Sequence, residues 1–343
     1  MKHLLNTLFV TTQGAYLSRE GEMVHVNVER ETKLRVPIHT LGSIVCFGNV
    51  MCSPFLLGLC AENNVLISFM TERGRFLARV NGPVSGNVLL RRAQYRIADN
   101  SETRLSIARN ILIGKIANAR SVLLRARRER EDGPDTTSLT RAVGRLAESL
   151  NQLKKAETLD EARGIEGEAA KSYFEVFDDL FTAEKESFFF HGRNKRPPMD
   201  NVNALLSFLY TILVHDVSSA LEGVGLDPAV GFLHSDRPGR PGLALDLMEE
   251  LRPYLADRLA LSLINRRQVK AGGFSLTESG GVNMDDITRK VVIIAWQTRK
   301  QDEIRHPFIE EKISIGLLPH VQAMLMARFL RGDIEGYPPF LWK

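Results

Sequence analysis

The stretch RFLARVNGPVSGNVLLRRAQYRIADN, residues 75–100, changes character halfway along. Its first six residues read as a strand, and Asn81-Gly82-Pro83 are turn formers that end it. From about residue 87 to 131 apolar residues recur at helical spacing, and they do so again from 138 to 158. Side chains alternate with a period of two in strands and about 3.6 in helices, so the chain changes fold class here.

Toward the amino terminus the pattern is β. LLNTLFV (4–10), MVHVNVE (23–29), LRVPI (34–38), SIVCF (43–47) and VLISFM (65–70) read as strands. Gly14, Arg19-Glu20-Gly21, Gly42 and Glu72-Arg73-Gly74 supply the turns between them. One helix interrupts: Ser53 is a good N-cap, Pro54 suits the first helical position, and Asn63-Asn64 ends the run FLLGLCAE. Toward the carboxyl terminus, loops are expected at EDGPDTTS (131–138), HGRNKRPPMD (191–200), HSDRPGRPG (234–242) and AGGFSLTESGGVN (271–283). The expected architecture is α+β in two domains, a β-rich domain over residues 1–86 and a larger, mostly helical one over 87–343.

With 343 residues, 44% hydrophobic and 25% charged, the chain has ample material for buried cores. No apolar run approaches the roughly 18 to 20 residues of a membrane span, so no transmembrane helix is expected. In the opening MKHLLNTLFVTTQGAYLSRE, the short apolar stretch contains Asn6 and Thr7, lacks a small-residue cleavage site and reads as a strand, not a leader. Cys46, Cys52 and Cys60 form no C-x-x-C pair, which fits a reducing cytoplasm. The net charge of +4 says little, but its distribution is uneven. Residues 91–130 carry eleven Lys or Arg against three Asp or Glu, and residues 151–190 carry five against ten. The first of these stretches is either a solvated helix face or a surface for phosphates.

Two stretches carry candidate chemistry. In ARGIEGEAAKSYFEVF (162–177), helical spacing puts Glu166 on one stripe with Ala170, Tyr173 and Phe177. A carboxylate on an apolar face must be protonated, salt-bridged or bound to a metal. A salt bridge to an arginine such as Arg163 is the plain alternative. In GFLHSDRPGRPGLALDLMEELRP (231–253), His234 precedes a Pro/Gly-rich loop, and a helix follows with Asp246, Glu249 and Glu250. Asp246 can act with either glutamate, since i+3 and i+4 share a face, and spacing does not choose. A neutral imidazole with carboxylates suits Mn²⁺, while Mg²⁺ depends less on the histidine. No G-x-x-x-x-G-K-[ST] loop, G-x-G-x-x-G, H-E-x-x-H or G-x-S-x-G is present, which argues against nucleotide hydrolysis and serine hydrolase chemistry.

Taken together, GIEGEAAKSYF around Glu166 and GFLHSDRPGRPGLALDLMEELRP around His234 and Glu249 resemble the signature blocks of the CRISPR-associated integrase, the first of the numbered Cas proteins. CFGNV (46–50), PPMDNVNALLSFLYTIL (197–213) and AWQTRKQDEIRHPF (295–308) extend the likeness, which is greatest to the form of type I systems, subtype I-C. The resemblance implies that Glu166, His234 and Glu249 hold a catalytic Mg²⁺ or Mn²⁺, with Asp246 as a supporting acidic residue. Other members often carry Asp where this chain has Glu249. It further implies a homodimer paired through the β-rich domain, and a complex with the small second Cas protein. The implied substrates are double-stranded DNA fragments and CRISPR repeat DNA, joined when a 3′-hydroxyl attacks a phosphodiester. Arg193, Lys195 and Arg196 are candidate DNA contacts. Two other readings use the same residues: a divalent-metal nuclease or resolvase of branched DNA, and a non-catalytic DNA-binding scaffold.

Overall fold

The structure, a computed structural model, describes residues 6–72, 76–80, 88–130, 136–194, 197–278 and 280–342. Strands β1 (Asn6–Val10), β2 (Tyr16–Glu20), β3 (Met23–Val28), β4 (Glu31–Pro37), β5 (Leu41–Phe47), β6 (Met51–Cys52), β7 (Leu66–Met70) and β8 (Phe76–Val80) precede the helical region, with α1 (Pro54–Glu62) between β6 and β7. They form two four-stranded sheets, ordered β1-β5-β7-β8 and β4-β3-β2-β6. As expected, Ser53 caps α1, its side chain accepting from Leu56 N at 3.2 Å. β2 and β6 were not singled out in the sequence, where YLSRE offers little alternation. The expected turn residues Arg73 and Gly74, and Asn81-Gly82-Pro83, lie outside the described residues, as does the expected 86/87 boundary.

Strand β5 shows how the β-rich region joins the rest. Its pairing with β1 and β7 is parallel on both sides. Alternate residues point to opposite faces, and here both faces are covered. Ile44 and Cys46 pack with Leu17, Val24, Leu56 and Ile67 in a core between the sheets and α1. Val45 and Phe47 turn the other way into the helical core. There the Phe47 ring lies 6.0 Å from that of Phe208.

The helical region comprises α2 (Val88–Asp99), α3 (Ser101–Arg128), α4 (Thr137–Leu153), α5 (Leu159–Glu175), α6 (Asn201–Gly223), α7 (Gly242–Arg252), α8 (Arg258–Asn265), α9 (Asp286–Gln301) and α10 (Leu318–Leu330). The expected helix over 87–131 is two, because the Asn100 side chain accepts from Thr103 N at 2.8 Å and starts a new helix. A π-helical segment, Pro253–Asp257, joins α7 to α8. The stretch expected as a loop at 271–283 contains β9 (Phe274–Leu276), paired antiparallel with β10 (Val282–Met284). β11 (Glu303–Arg305) and β12 (Lys312–Ser314) form a second small hairpin.

By length and composition α6 could cross a membrane, contrary to the reading of the sequence. It is instead the central core helix: 72% of its most apolar window is buried, among α7, α8, α10 and the π segment.

Candidate active site

Glu166 and Glu249 come from different helices, α5 and α7, and both meet Lys115 of α3. The Lys115 ammonium pairs with Glu166 Oε1 and lies 2.7 Å from Glu249 Oε2. The plain alternative for Glu166, a salt bridge, is thus present, but with Lys115 and not Arg163. Close approach of α3 and α7 makes this possible, because a Cβ on Gly114 would lie 2.9 Å from Glu250 Cβ. On its other side, Glu249 Oε1 accepts from Arg252 Nη1 at 2.6 Å. Burial alone would raise the Glu249 pKa, but Arg252 and Lys115 overcome it and lower it to about 2. Burial likewise works against the Lys115 charge, and Glu249 and Glu166 outweigh it, so its pKa rises.

His234 follows a loop pinned from three sides. Arg104 Nε of α3 donates to Phe232 O at 2.7 Å, and Arg163 Nη2 of α5 donates to Leu233 O at 2.5 Å. Arg163, the expected partner of Glu166, therefore ties the helix bearing Glu166 to the loop bearing His234. From α7, Asp246 accepts from Phe232 N at 2.5 Å, Leu233 N at 2.9 Å and His234 N at 2.9 Å. Its Oδ1 also lies 2.6 Å from His234 Nδ1. Gly231 is required at this crossing, since a Cβ there would meet Asp246 Oδ2 at 2.7 Å. With Nδ1–H donating to the carboxylate, Nε2 is the free lone pair of the neutral ring. Asp246 has no exposed surface and its oxygens already take four donors, so it orients the imidazole rather than facing an ion. His234 is close enough that charge on its ring acts on Glu249.

The choice between Glu249 and Glu250 is made by the rotation of α7. Glu250 faces α10 and the carboxyl-terminal segment, accepting from Tyr337 OH at 2.5 Å, Gln322 Nε2 at 2.8 Å and Phe340 N at 2.9 Å. It takes no part in the cluster around Lys115.

A cavity of about 480 Å³ opens beside Lys115 and Glu166 and continues to Tyr173, Tyr210, Arg252 and Asp257. At its inner end Tyr210 OH and Tyr173 OH donate to Asp257 at 2.6 and 3.1 Å. Arg252 lies over the Tyr210 ring, 4.1 Å from its centre. One connected set, Asp257–Tyr210–Arg252–Glu249, thus fixes the position of Glu249. The sequence reading missed Lys115, Arg252 and Asp257. Their only signal was a lone lysine inside the apolar run ILIGKIANA and an Arg and Asp inside a buried helix.

The residues fit a divalent cation in kind: two carboxylates already share one cationic group, and an imidazole is held with Nε2 free. They do not yet form a closed ligand set, because no three His, Cys, Asp or Glu side chains among the described residues are gathered around one point. The Lys115 ammonium takes the space between the carboxylates.

Arg193 spends its guanidinium on Asn203 Oδ1 at 2.6 Å and Ser207 Oγ at 3.1 Å, and it also lines the cavity. Lys195 and Arg196 lie outside the described residues. In the basic stretch, Arg91, Arg104, Arg109, Arg120 and Arg130 donate to main-chain carbonyls of neighbouring elements. For these five the packing role is the one the bonds express.

The family described as CRISPR associated protein Cas1 matches residues 8–298. The CRISPR-associated endonuclease Cas1 1 of Chlorobaculum tepidum is 57% identical over 343 residues, covering 100% of each chain. The CRISPR-associated endonuclease Cas1 2 of Rhodospirillum rubrum is 53% identical over 347 residues, also covering 100% of each. The fold of a Cas1 protein from Thermotoga maritima matches with a TM-score of 0.81 at 24% identity, covering 98% of this chain and 100% of that one. Because the family match spans the β-rich sheets as well as the helices and loop that carry Glu166, His234 and Glu249, and a relative is 57% identical over the full chain, the chain belongs to the CRISPR-associated Cas1 family.

Proposed function

We propose that the chain is a DNA endonuclease and integrase of CRISPR adaptation, using Mg²⁺ or Mn²⁺ to insert short DNA fragments into a repeat array. The observation that carries this reading is a single cationic group held between Glu166 and Glu249, next to an imidazole oriented by Asp246. Glu166, His234 and Glu249 are the residues that would hold the ion. When bound, such an ion lowers the pKa of an attacking hydroxyl and offsets charge at phosphorus. Arg252 keeps Glu249 ionised and in place, and Asp246 keeps the His234 lone pair available. The cavity of about 480 Å³ beside Glu166 gives a nucleotide room to approach.

The chemistry exchanges one phosphate ester for another: a 3′-hydroxyl attacks, a new ester forms, and the displaced strand leaves with a free 3′-hydroxyl and the proton. With water as nucleophile the same site hydrolyses DNA. Identity to two Cas1 endonucleases over the full chain supports the reading, as do the sequence blocks. The same resemblance supports a cytoplasmic homodimer paired through the β-rich domain, complexes with the second Cas protein, and subtype I-C membership.

The test is strand transfer between a 3′-hydroxyl donor and a repeat-containing target. Glu166→Ala and His234→Ala should each abolish transfer while leaving the fold and DNA affinity largely intact. Wild-type transfer by either variant sinks the reading. One observation favours a second reading, a non-catalytic scaffold: Lys115 could serve as a permanent counter-ion to both glutamates. Mn²⁺ titration separates the two, because a scaffold binds no ion that Glu166→Gln abolishes.

A further inference from the structure

A second cavity, of about 460 Å³, lies between α8 and α9. Among the described residues, three guanidiniums line it, Arg258, Arg266 and Arg299, against one carboxylate, Asp302. Arg299 Nη1 donates to Asp302 at 2.8 Å, so that charge is spent. Among the described residues Arg258 and Arg266 have no side-chain hydrogen bond or ion pair.

Arg258 is nevertheless held firmly. Its guanidinium sits over the Trp342 ring at 4.2 Å and near the Tyr254 ring at 5.5 Å. Arg299 also lies over the Tyr254 ring, at 5.3 Å. A guanidinium stacked on aromatic rings keeps its edge donors free for a planar or tetrahedral anion, and it loses little entropy on binding one. Burial, with Arg299 and Arg125 nearby, lowers the Arg258 pKa to about 10, and Glu129 only partly offsets this.

The neighbourhood says which anion. Arg252, Pro253 and Asp257 line the first cavity, and the next residue, Arg258, lines this groove. One helical segment therefore separates the candidate active site from the unpaired arginines. Ser262 and Thr298 add hydroxyl groups to the lining, and Ile294, 55% exposed, adds an apolar surface suited to a sugar face.

We propose that the α8–α9 groove is a phosphodiester-binding subsite for a DNA strand, with Arg258 over Trp342 as its principal anion-binding group and Arg266 as its second. The proposal rests on the reading that the neighbouring cavity acts on DNA. A phosphodiester is favoured over an acidic peptide because the groove lies one helical segment from the candidate active site, and two guanidiniums without ion-pair partners lie along it where a DNA backbone leaving that site would pass.

The experiment uses the full chain and a fluorescein-labelled duplex DNA, with affinity measured from about 50 to 200 mM salt. Arg258→Met should weaken binding about tenfold and lower the slope of log affinity against log salt by about one. Arg258→Lys should recover only part of this, since an ammonium lacks the planar fork. Tryptophan emission should change when DNA binds the wild type but not the Trp342→Phe variant. If Arg258→Met fails to fold, Arg266→Gln on the exposed neighbouring side chain carries the same expectation.

Unchanged affinity and slope in folded Arg258→Met, with the wild type binding DNA normally, overturn the subsite alone. Quenching of Trp342 by poly-glutamate, together with unaltered DNA binding by the variants, overturns it in favour of an acidic polypeptide. A wild-type chain that binds no duplex DNA overturns the functional reading and the subsite with it.

Discussion

Glu249 and Glu250 are consecutive residues on α7, both buried, yet the regions they enter treat a carboxyl group in opposite ways. Glu249 faces cations: Arg252 on one oxygen and Lys115 on the other. Glu250 faces only neutral donors, from Gln322, Tyr337 and the Phe340 main chain. Burial opposes ionisation at both. At Glu249 the cations outweigh it and the pKa falls to about 2, whereas at Glu250 the hydrogen bonds only moderate it and the pKa rises to about 7. The lesson is that burial by itself does not make a carboxylate functional. A carboxylate kept ionised by groups that a ligand can displace belongs to a site, and one satisfied by neutral donors belongs to the core.

The largest effect expected from this contrast is at Lys115. Lys115→Met leaves Glu166 and Glu249 without their shared partner and should cost about 3–5 kcal/mol of stability in metal-free protein. Mn²⁺ should restore much of the melting temperature, since it supplies the missing charge. A variant as stable as wild type without metal would mean that the two carboxylates do not depend on Lys115.

Asp246→Asn comes next. Removing the acceptor from His234 Nδ1 should reduce metal affinity and strand transfer roughly 10- to 100-fold. Titration calorimetry with Mn²⁺ measures this directly. Unchanged affinity would make the Asp246–His234 bond structural only.

The pH dependence of stability separates the two glutamates further. The Glu250 pKa lies above its ordinary value of 4.5, so the folded chain keeps a proton that the unfolded chain gives up. Its contribution is fully present below about pH 4.5 and is lost as pH rises toward 7. The Glu249 pKa is depressed, so its contribution is present above pH 4.5 and is lost as pH falls toward 2. Melting temperatures against pH should therefore lose their neutral arm in Glu250→Gln and their acid arm in Glu249→Gln. Identical profiles in both variants would contradict the assignment. The smallest effect lies between α4 and the helix of Glu166: Arg145 of α4 pairs with Glu175 of α5 at 2.9 Å, with both side chains about half exposed. Arg145→Ala should change stability by less than about 1 kcal/mol in urea unfolding.

Much of the fold was legible in the residues. Alternation located β3, β5 and β7, Ser53-Pro54 located the start of α1, and helical spacing located α3 to α5. Local chemistry determines these features, because caps, turns and hydrophobic periods act within a few residues. The break at Asn100 was missed because one capping side chain interrupts an otherwise unbroken helical pattern. The hairpin at 274–284 was missed because each strand is only three residues long and the glycines between them, Gly280 and Gly281, read as a loop.

At the site, the sequence blocks marked Glu166, His234, Asp246 and Glu249 as residues worth following, along with the family they resemble. Only the tertiary structure decided that Asp246 faces the imidazole, that Glu249 and not Glu250 turns toward Glu166, and that Lys115 stands between them. The reason is physical: a carboxylate's partners come from helices 51 to 134 residues apart in the chain, as for Lys115 with Glu166 and with Glu249. Periodicity fixes which way a side chain leaves its own helix, and packing fixes what it meets.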